Sequence, residues 1–308
     1  MRRYQGDRTQ AMALQVADTL RERQERVTAG GELADLWRRL RRNRAAIAGA
    51  GVVAVFVVLA VLAPALVPFN PIHGDLNDRL QPPSVTHWLG TDELGRDILS
   101  RILFGARISL QIQIVAVLLA LVIGVALGSV GGYLGGHVDN VIMRAMDVLL
   151  AFPGIFLALG IIAALGPGLL NLMLAAGISS VPQFARIVRA SILSLKEREF
   201  VEAARALGGG SNRIVFRHLL PNCMAPIIVQ STLRMATVLL TASGLSFLGL
   251  GVQPPTPEWG AMLSNARSYL IVAPHVATIP GVAIMVVVVG FNLFGDGLRD
   301  TLDPRLRQ

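Results

Sequence analysis

Six long apolar runs constrain the fold of this chain more than any other feature of its sequence. They cover residues 45–67, 109–133, 141–165, 169–190, 223–248 and 274–294. Each run is long enough for an α-helix to cross the ~30 Å hydrocarbon core of a bilayer. Because 53% of the 308 residues are hydrophobic and only 16% are charged, the composition excludes an ordinary soluble domain. The sequence predicts an all-α membrane protein with about six transmembrane helices.

The distribution of arginine predicts the orientation of these helices. Arginines crowd three segments: the start of the first run, the stretch after the fourth run and the end of the chain (Arg38, Arg39, Arg41, Arg42, Arg44; Arg186, Arg189, Arg198, Arg205, Arg213, Arg217; Arg299, Arg305, Arg307). With an even number of spans these segments share one side, which the positive-inside rule makes cytoplasmic. Both termini are therefore expected in the cytoplasm. The same clustering argues against nucleic-acid binding, despite a net charge of +8.

Four segments follow from this arrangement. They are an N-terminal cytoplasmic tail over residues 1–44, the first helix with an external loop over 45–108, a core of five helices over 109–297 and a cytoplasmic tail over 298–308. In the first tail, "ELADLWRRLRRN" predicts an amphipathic helix with one apolar face (Leu33, Leu36, Trp37, Leu40). That helix either lies at the membrane surface or is solvated in the cytosol. The charged stretch before the first apolar run is too long for a signal peptide.

The segment between the fourth and fifth runs, residues 191–221, predicts a cytoplasmic pair of short helices that we call the hairpin. Its first half places apolar residues at i, i+3, i+4 and i+7 (Phe200, Ala203, Ala204, Leu207), and Gly208 can end that helix in a left-handed turn. In its second half Ser211 or Asn212 can cap a helix, which Pro221 closes. The apolar face of that helix is Ile214, Val215, His218 and Leu219. Helices this short need a covering surface, either the chain's own membrane domain or a soluble partner's groove.

A second organised element is predicted in the external loop, just before the second span. Thr91 is a candidate N-cap, with Asp92 and Glu93 in the first turn and an apolar stripe on one side (Leu94, Ile98, Ile102). Two i, i+4 pairs, Asp92 with Arg96 and Asp97 with Arg101, are expected on the exposed side. This surface helix is either purely structural or part of a docking surface for an external partner.

Several motifs resemble one family of transporters. Glu202-Ala203-Ala204, then Gly208, then Leu220-Pro221 resembles the EAA motif of binding-protein-dependent ABC importer permeases, with His218 where most members have isoleucine. Further stretches resemble the second permease subunit of the dipeptide, oligopeptide and nickel branch: "HWLGTDELGRDILSRILFGARISL", "GGYLGGHVDNVIMRAMD", "LSFLGLG", "PEWGAML" and "FNLFGDGLRDTLDPRLR". The resemblance covers nearly all of the chain after residue 45.

The resemblance implies a pore shared with a sister permease in the bacterial inner membrane, two cytoplasmic ABC ATPases and an extracytoplasmic solute-binding protein. It also implies that the hairpin couples the pore to an ATPase (Phe200, Glu202, Ala203, Ala204, Leu207, Gly208, His218, Leu220, Pro221). The single lysine, Lys196, follows no glycine loop, so ATP and Mg²⁺ are expected in the partner ATPases. This chain is expected to bind no cofactor and to be no enzyme. The solute is a peptide or a similar small molecule.

Inside the predicted spans, a few polar residues stand out. Arg144 and Asp147 lie one turn apart, which predicts a structural ion pair. Gln230, Arg234 and Ser243 are candidate pore-lining residues of the fifth span. Relatives commonly read "TLGIA" where this chain reads "TLRMA", and they have a glutamate where it has Ala242. With no acid expected at its depth, Arg234 predicts a pore that favours solutes with a carboxylate.

Two other functions fit parts of the sequence. Ser243 and His275 lie near the outer ends of their spans and could form the dyad of an intramembrane serine protease, although no oxyanion-hole donor is evident. A passive channel would also account for six spans. A channel has no use for the hairpin, however.

Overall fold

A computed structural model describes residues 38, 40, 41 and 43–302 of the chain. Regular secondary structure in this part is helical, apart from one isolated bridge between Thr91 and Asp97. The main helices are α1 (Arg44–Leu66), α2 (Ile98–Leu134), α3 (Gly136–Leu150), α4 (Gly154–Leu165), α5 (Leu169–Leu195), α6 (Glu199–Ala206), α7 (Met224–Phe247), α8 (Trp259–Ala266) and α9 (His275–Leu302). The predicted tail-helix residues Leu33, Leu36 and Trp37 lie outside the described residues, as does the chain after residue 302.

Four of these helices, α1, α2, α7 and α9, are each long and apolar enough to cross a membrane. α3 and α4 meet the same criterion only as a pair. α5 is more polar, but its 27 residues span ~40 Å, which is also enough to cross. Each of the six predicted spans therefore has a helical counterpart.

The third predicted span, residues 141–165, is not one continuous helix. α3 and α4 meet at an angle of 90°, and the chain leaves the helical path between Ala151 and Pro153. Pro153 has no amide hydrogen, and its ring disfavours a helical conformation of the preceding residue. The proline therefore separates the span into two helices.

The tightest packing joins α2 to α5 through a row of glycines at every fourth position. A Cβ added to Gly124 would lie 2.4 Å from the Cβ of Phe184, and one added to Gly128 would lie 2.5 Å from the carbonyl oxygen of Ala185. Gly132 continues the row against Ile192. Small residues at this spacing allow two helix backbones to approach closely, as is common between membrane helices.

A second glycine contact joins α1 to α9 and shows which ends of the bundle coincide. Gly297 packs on Ala46, so the start of α1 lies beside the end of α9. The end of α2 lies at the hairpin, because Lys196 Nζ donates to the carbonyl of Gly132 at 3.4 Å. A groove joins Asn222 to Leu302 at the same end. We call this end of the bundle the hairpin end, and the opposite end, with residues 68–97 and α8, the loop end.

Candidate functional site

The first half of the hairpin is α6, whose ending follows the sequence prediction. Gly208 adopts a φ of +79°, in the left-handed region that only glycine enters without strain. Its amide donates to the carbonyl of Arg205 at 2.9 Å. A Cβ added there would meet no atom within 4 Å, so the requirement for glycine comes from the backbone conformation and not from crowding.

The second half of the hairpin departs from the prediction. Single helical turns, Ser211–Arg213 and Leu220–Asn222, flank a π-helical turn over Ile214–Leu219. Neither Ser211 nor Asn212 caps it, since the N-cap is Gly210. Pro221 does not close the helix either, because the helical path continues to Asn222. Lacking an amide hydrogen, Pro221 cannot form the usual bond to the carbonyl four residues back, which favours the wider π geometry before it.

Buried side chains anchor the hairpin to the bundle. Val201, Ile214 and Leu219 are at most 1% exposed and pack in one cluster with Val188 and Ile192 of α5. The predicted face of the second helix therefore points inward, toward the chain's own membrane domain. Val201 was missed because a single buried position in an eight-residue helix leaves no periodic signal.

The predicted face of α6 points outward. Leu207 is 89% exposed and Phe200 is 41% exposed, and Ala203 also lies on the surface. Phe216, which the sequence did not single out, is 69% exposed. The hairpin thus has one face fixed to the bundle and another on which large apolar side chains remain uncovered.

Two ion pairs connect α3 to α5 near the hairpin end. Asp147 accepts from Arg186 Nη2 at 2.6 Å, and Asp139 accepts two hydrogen bonds from Arg189, each of 2.5 Å. The predicted pair of Arg144 with Asp147 is wrong. Asp147 points across to α5, and Arg144 stays exposed on α3. Sequence spacing suggests only partners within one helix, whereas the bend after α3 brings this helix against α5.

The loop end differs from the predicted surface helix. Gly95 has a φ of +70°, so no helix passes through it, and α2 begins only at Ile98 with Asp97 as its N-cap. Asp92 accepts from Arg96 Nε at 2.7 Å, and Arg101 Nε lies 3.2 Å from the same carboxylate. The side chains involved are each 3% exposed: Asp92, Arg96, Asp97 and Arg101. The predicted pair of Asp92 with Arg96 is confirmed but is buried and not exposed, whereas the predicted pair of Asp97 with Arg101 is wrong, because Asp97 lies 3.0 Å from Nδ1 of His87.

A buried carboxylate also stabilises α8 at this end. Glu258 is fully buried and caps the helix, accepting from the amides of Gly260 at 3.0 Å and Ala261 at 2.8 Å. Burial raises the pKa of the Glu258 carboxyl, and the two amide hydrogen bonds oppose that rise. The Glu258 carboxylate is thus satisfied by the helix that it caps.

The middle of the bundle contains a polar stripe on α7. Gln230, Arg234, Thr237 and Thr241 follow at i, i+4, i+7 and i+11, so they share one face of the helix. None of the four is buried within the chain. Gln230 also lines an open groove of about 520 Å³ that reaches Asn222 at the hairpin end. Because Thr237 and Thr241 share a helix face with Gln230 and Arg234, helical spacing alone would have added them to the predicted pore-lining residues.

Comparison with known proteins identifies the family. Residues 120–308 match the model of the binding-protein-dependent transport system inner membrane component, and residues 32–83 match the N-terminal transmembrane domain of oligopeptide transport permease C. The chain belongs to this family of ABC importer permeases. It is a permease subunit and a multi-pass protein of the inner membrane.

Relatives along nearly the whole chain agree with this family. The permease is 47% identical to the dipeptide transport system permease protein DppC of Alkalihalophilus pseudofirmus, over 92% of this chain and 93% of the relative. It is 50% identical to the glutathione transport system permease protein GsiD of Salmonella typhimurium, over 89% and 90%. A chain of the MetNI methionine ABC transporter, solved in inward-facing conformations, has the same fold, with a TM-score of 0.54 and 18% identity over 67% of this chain and 98% of that one.

The protease alternative has no support in the permease. The hydroxyl of Ser243 and Nε2 of His275 are both buried, and neither has a hydrogen-bond partner among the described residues, so they do not form a dyad. Ser243 is 5% exposed and packs against Gly260 of α8. This position also argues against the predicted pore-lining role of Ser243, which faces the chain's own interior.

Proposed function

We propose that this permease imports peptides or similar small solutes, as one of two permeases that together enclose the pore. The names of the dipeptide and glutathione relatives support this solute class. Two ATPase subunits that bind ATP and Mg²⁺ complete the transporter, with an extracytoplasmic solute-binding protein. The arginine-rich hairpin end faces the cytoplasm under the positive-inside rule, with both termini.

The observation that supports coupling is the two-sided hairpin. Val201 and Ile214 fix it to the bundle, while Leu207 and Phe216 present large apolar surfaces to a partner. A rigid element of this kind suits a groove on a soluble protein. Movement of an ATPase that holds this face would pass through the anchor to α5 and so to the pore.

The test is a Leu207→Asp substitution in the assembled transporter. We expect the ATPase subunits to dissociate from the permease and peptide uptake to be lost, because a charge replaces an apolar contact. Leu270→Asp is the matched control, since Leu270 is 54% exposed at the loop end. Normal ATPase binding and uptake by Leu207→Asp would contradict the coupling role of this face.

A further inference from the structure

The polar stripe on α7 is unusual for the outer face of a membrane helix. Exposed positions of α1 that face away from the bundle are apolar, as Val55 at 60% and Val61 at 65% show. On α7, by contrast, Thr237 is exposed and Arg234 is half-buried. The hydroxyl of Thr237 donates to the carbonyl of Leu233 at 3.3 Å, but lipid cannot satisfy the guanidinium of Arg234, and the helices of this chain leave that side chain partly exposed. This face therefore borders either a water-filled path or another polar surface.

Arg234 is the least satisfied member of the stripe. It is the eleventh of the 24 residues of α7, and so lies near the middle of the helix. Its guanidinium keeps its charge in proteins. Over the part of the chain that the structure describes, Arg234 forms no hydrogen bond, ion pair or ring contact, and its Nε is buried without a partner.

The neighbouring helices offer Arg234 little negative charge. α7 itself and the packed helices α2, α4, α5 and α8 contain no acidic residue, and α9 contains only Asp296 and Asp300. Asp300 accepts from Asn43. Gly295 packs on Leu233 and Gly297 packs on Ala46, which places Asp296 at a height close to that of Arg234, with both toward the hairpin end. Asp296 is exposed and forms no ion pair with Arg234 in the described part of the chain.

We propose that Arg234 binds a carboxylate of the transported solute and makes the permease favour acidic peptides over basic ones. This inference rests on the proposed function. The planar guanidinium offers paired donors that match a carboxylate. Gln230 and Thr237, one turn away on either side, add hydrogen-bonding groups to the same face. The groove of about 520 Å³ that Gln230 lines is also lined by Leu233, next to Arg234 in the chain, and by a second cation, Arg299.

The experiment uses the complete transporter in proteoliposomes, with its binding protein and ATPases. Uptake of Ala-Glu, Ala-Ala and Ala-Lys is compared for the wild type, Arg234→Gln and Arg234→Lys. Because the binding protein is the same in every sample, a changed preference comes from the permease. We expect Arg234→Gln to lower the uptake ratio of Ala-Glu to Ala-Lys by about tenfold or more, as befits a lost charge-assisted hydrogen bond. Arg234→Lys keeps the charge and should retain most of the preference.

Two further variants serve as controls. Arg107→Gln removes an exposed cation of α2 and should leave the ratio unchanged. Asp296→Asn tests whether Arg234 instead serves only as the ion-pair partner of an acid of this chain, in which case Arg234→Gln and Asp296→Asn would lower the uptake of all three peptides alike and leave the ratio unchanged. That result would overturn the proposal.

The remaining outcomes are equally decisive. An unchanged ratio in Arg234→Gln, or an equal loss of all three peptides, would overturn the role in solute preference. Loss of the sister permease from the purified complex would overturn it too, since Arg234 would then pair with an acid of that subunit. A wild-type transporter that takes up none of the peptides would instead refute the proposed function itself.

Discussion

The two ends of the bundle differ in how their charged side chains are arranged. At the loop end, Asp92, Arg96 and Arg101 are each 3% exposed, and both arginines lie within ion-pair distance of the Asp92 carboxylate. At the hairpin end, Leu207 is 89% exposed, and so a large apolar side chain is left in contact with solvent. The loop end also exposes large apolar side chains, such as Val85 at 94% and Ile271 at 97%, so the contrast between the two ends lies in the buried charges. Under the proposed function, the exposed face of the hairpin is covered by an ATPase subunit.

This difference predicts where substitutions affect folding and where they affect transport. Charges buried in a closed cluster contribute to stability as a group, because removing one leaves its partner uncompensated. Exposed residues on an anchored surface contribute little to the stability of the chain that carries them. Three predictions test this contrast, from the largest expected effect to the smallest.

The largest effect is expected for Asp92→Ala at the loop end. Arg96 and Arg101 would remain buried without their shared carboxylate, at a cost of about 3–5 kcal/mol. We expect little folded permease and a strongly lowered thermal stability in detergent. Glu202→Ala, which removes an exposed acid at the hairpin end, should leave thermal stability unchanged and lower only uptake. Equal stability of the two variants would show that the ends do not differ in this way.

An intermediate effect is expected for Gly208→Val at the hairpin end. Valine at a φ of +79° costs about 1 kcal/mol or more, so the turn should change and tilt α6 against the π-helical turn. ATPase binding and uptake should both fall while the permease remains folded. Gly210→Val is a close control, because Gly210 has a φ of −66° and open space around its Cα. If both variants copurify with the ATPases and transport normally, the turn has no role in coupling.

How much the sequence predicted depends on the range of the interactions involved. The apolar runs and the turn at Gly208 depend on local chemistry, and the structure contains both. The buried cluster around Asp92 depends on the chain folding back over residues 68–97, which periodicity does not reveal. The stripe on α7 was predicted only in part. Its spacing is local, but a single threonine in an apolar run gives no signal of function, so Thr237 and Thr241 were not included. The roles of the site residues remain predictions that the experiments above address.

The smallest effect is expected for the exposed ion pair between Asp147 and Arg186. Both side chains are about half exposed, at 51% and 53%, so water screens their attraction and the pair contributes at most about 1 kcal/mol. Asp147→Arg should therefore lower thermal stability slightly, and adding Arg186→Asp should restore it, because the exchanged charges can pair again across α3 and α5. Arg144→Asp combined with Asp147→Arg should bring no such recovery. Recovery of thermal stability in the second double variant and not in the first would instead favour a pair between Arg144 and Asp147 within α3. The small loss expected for Asp147→Arg contrasts with the large loss of thermal stability expected for Asp92→Ala.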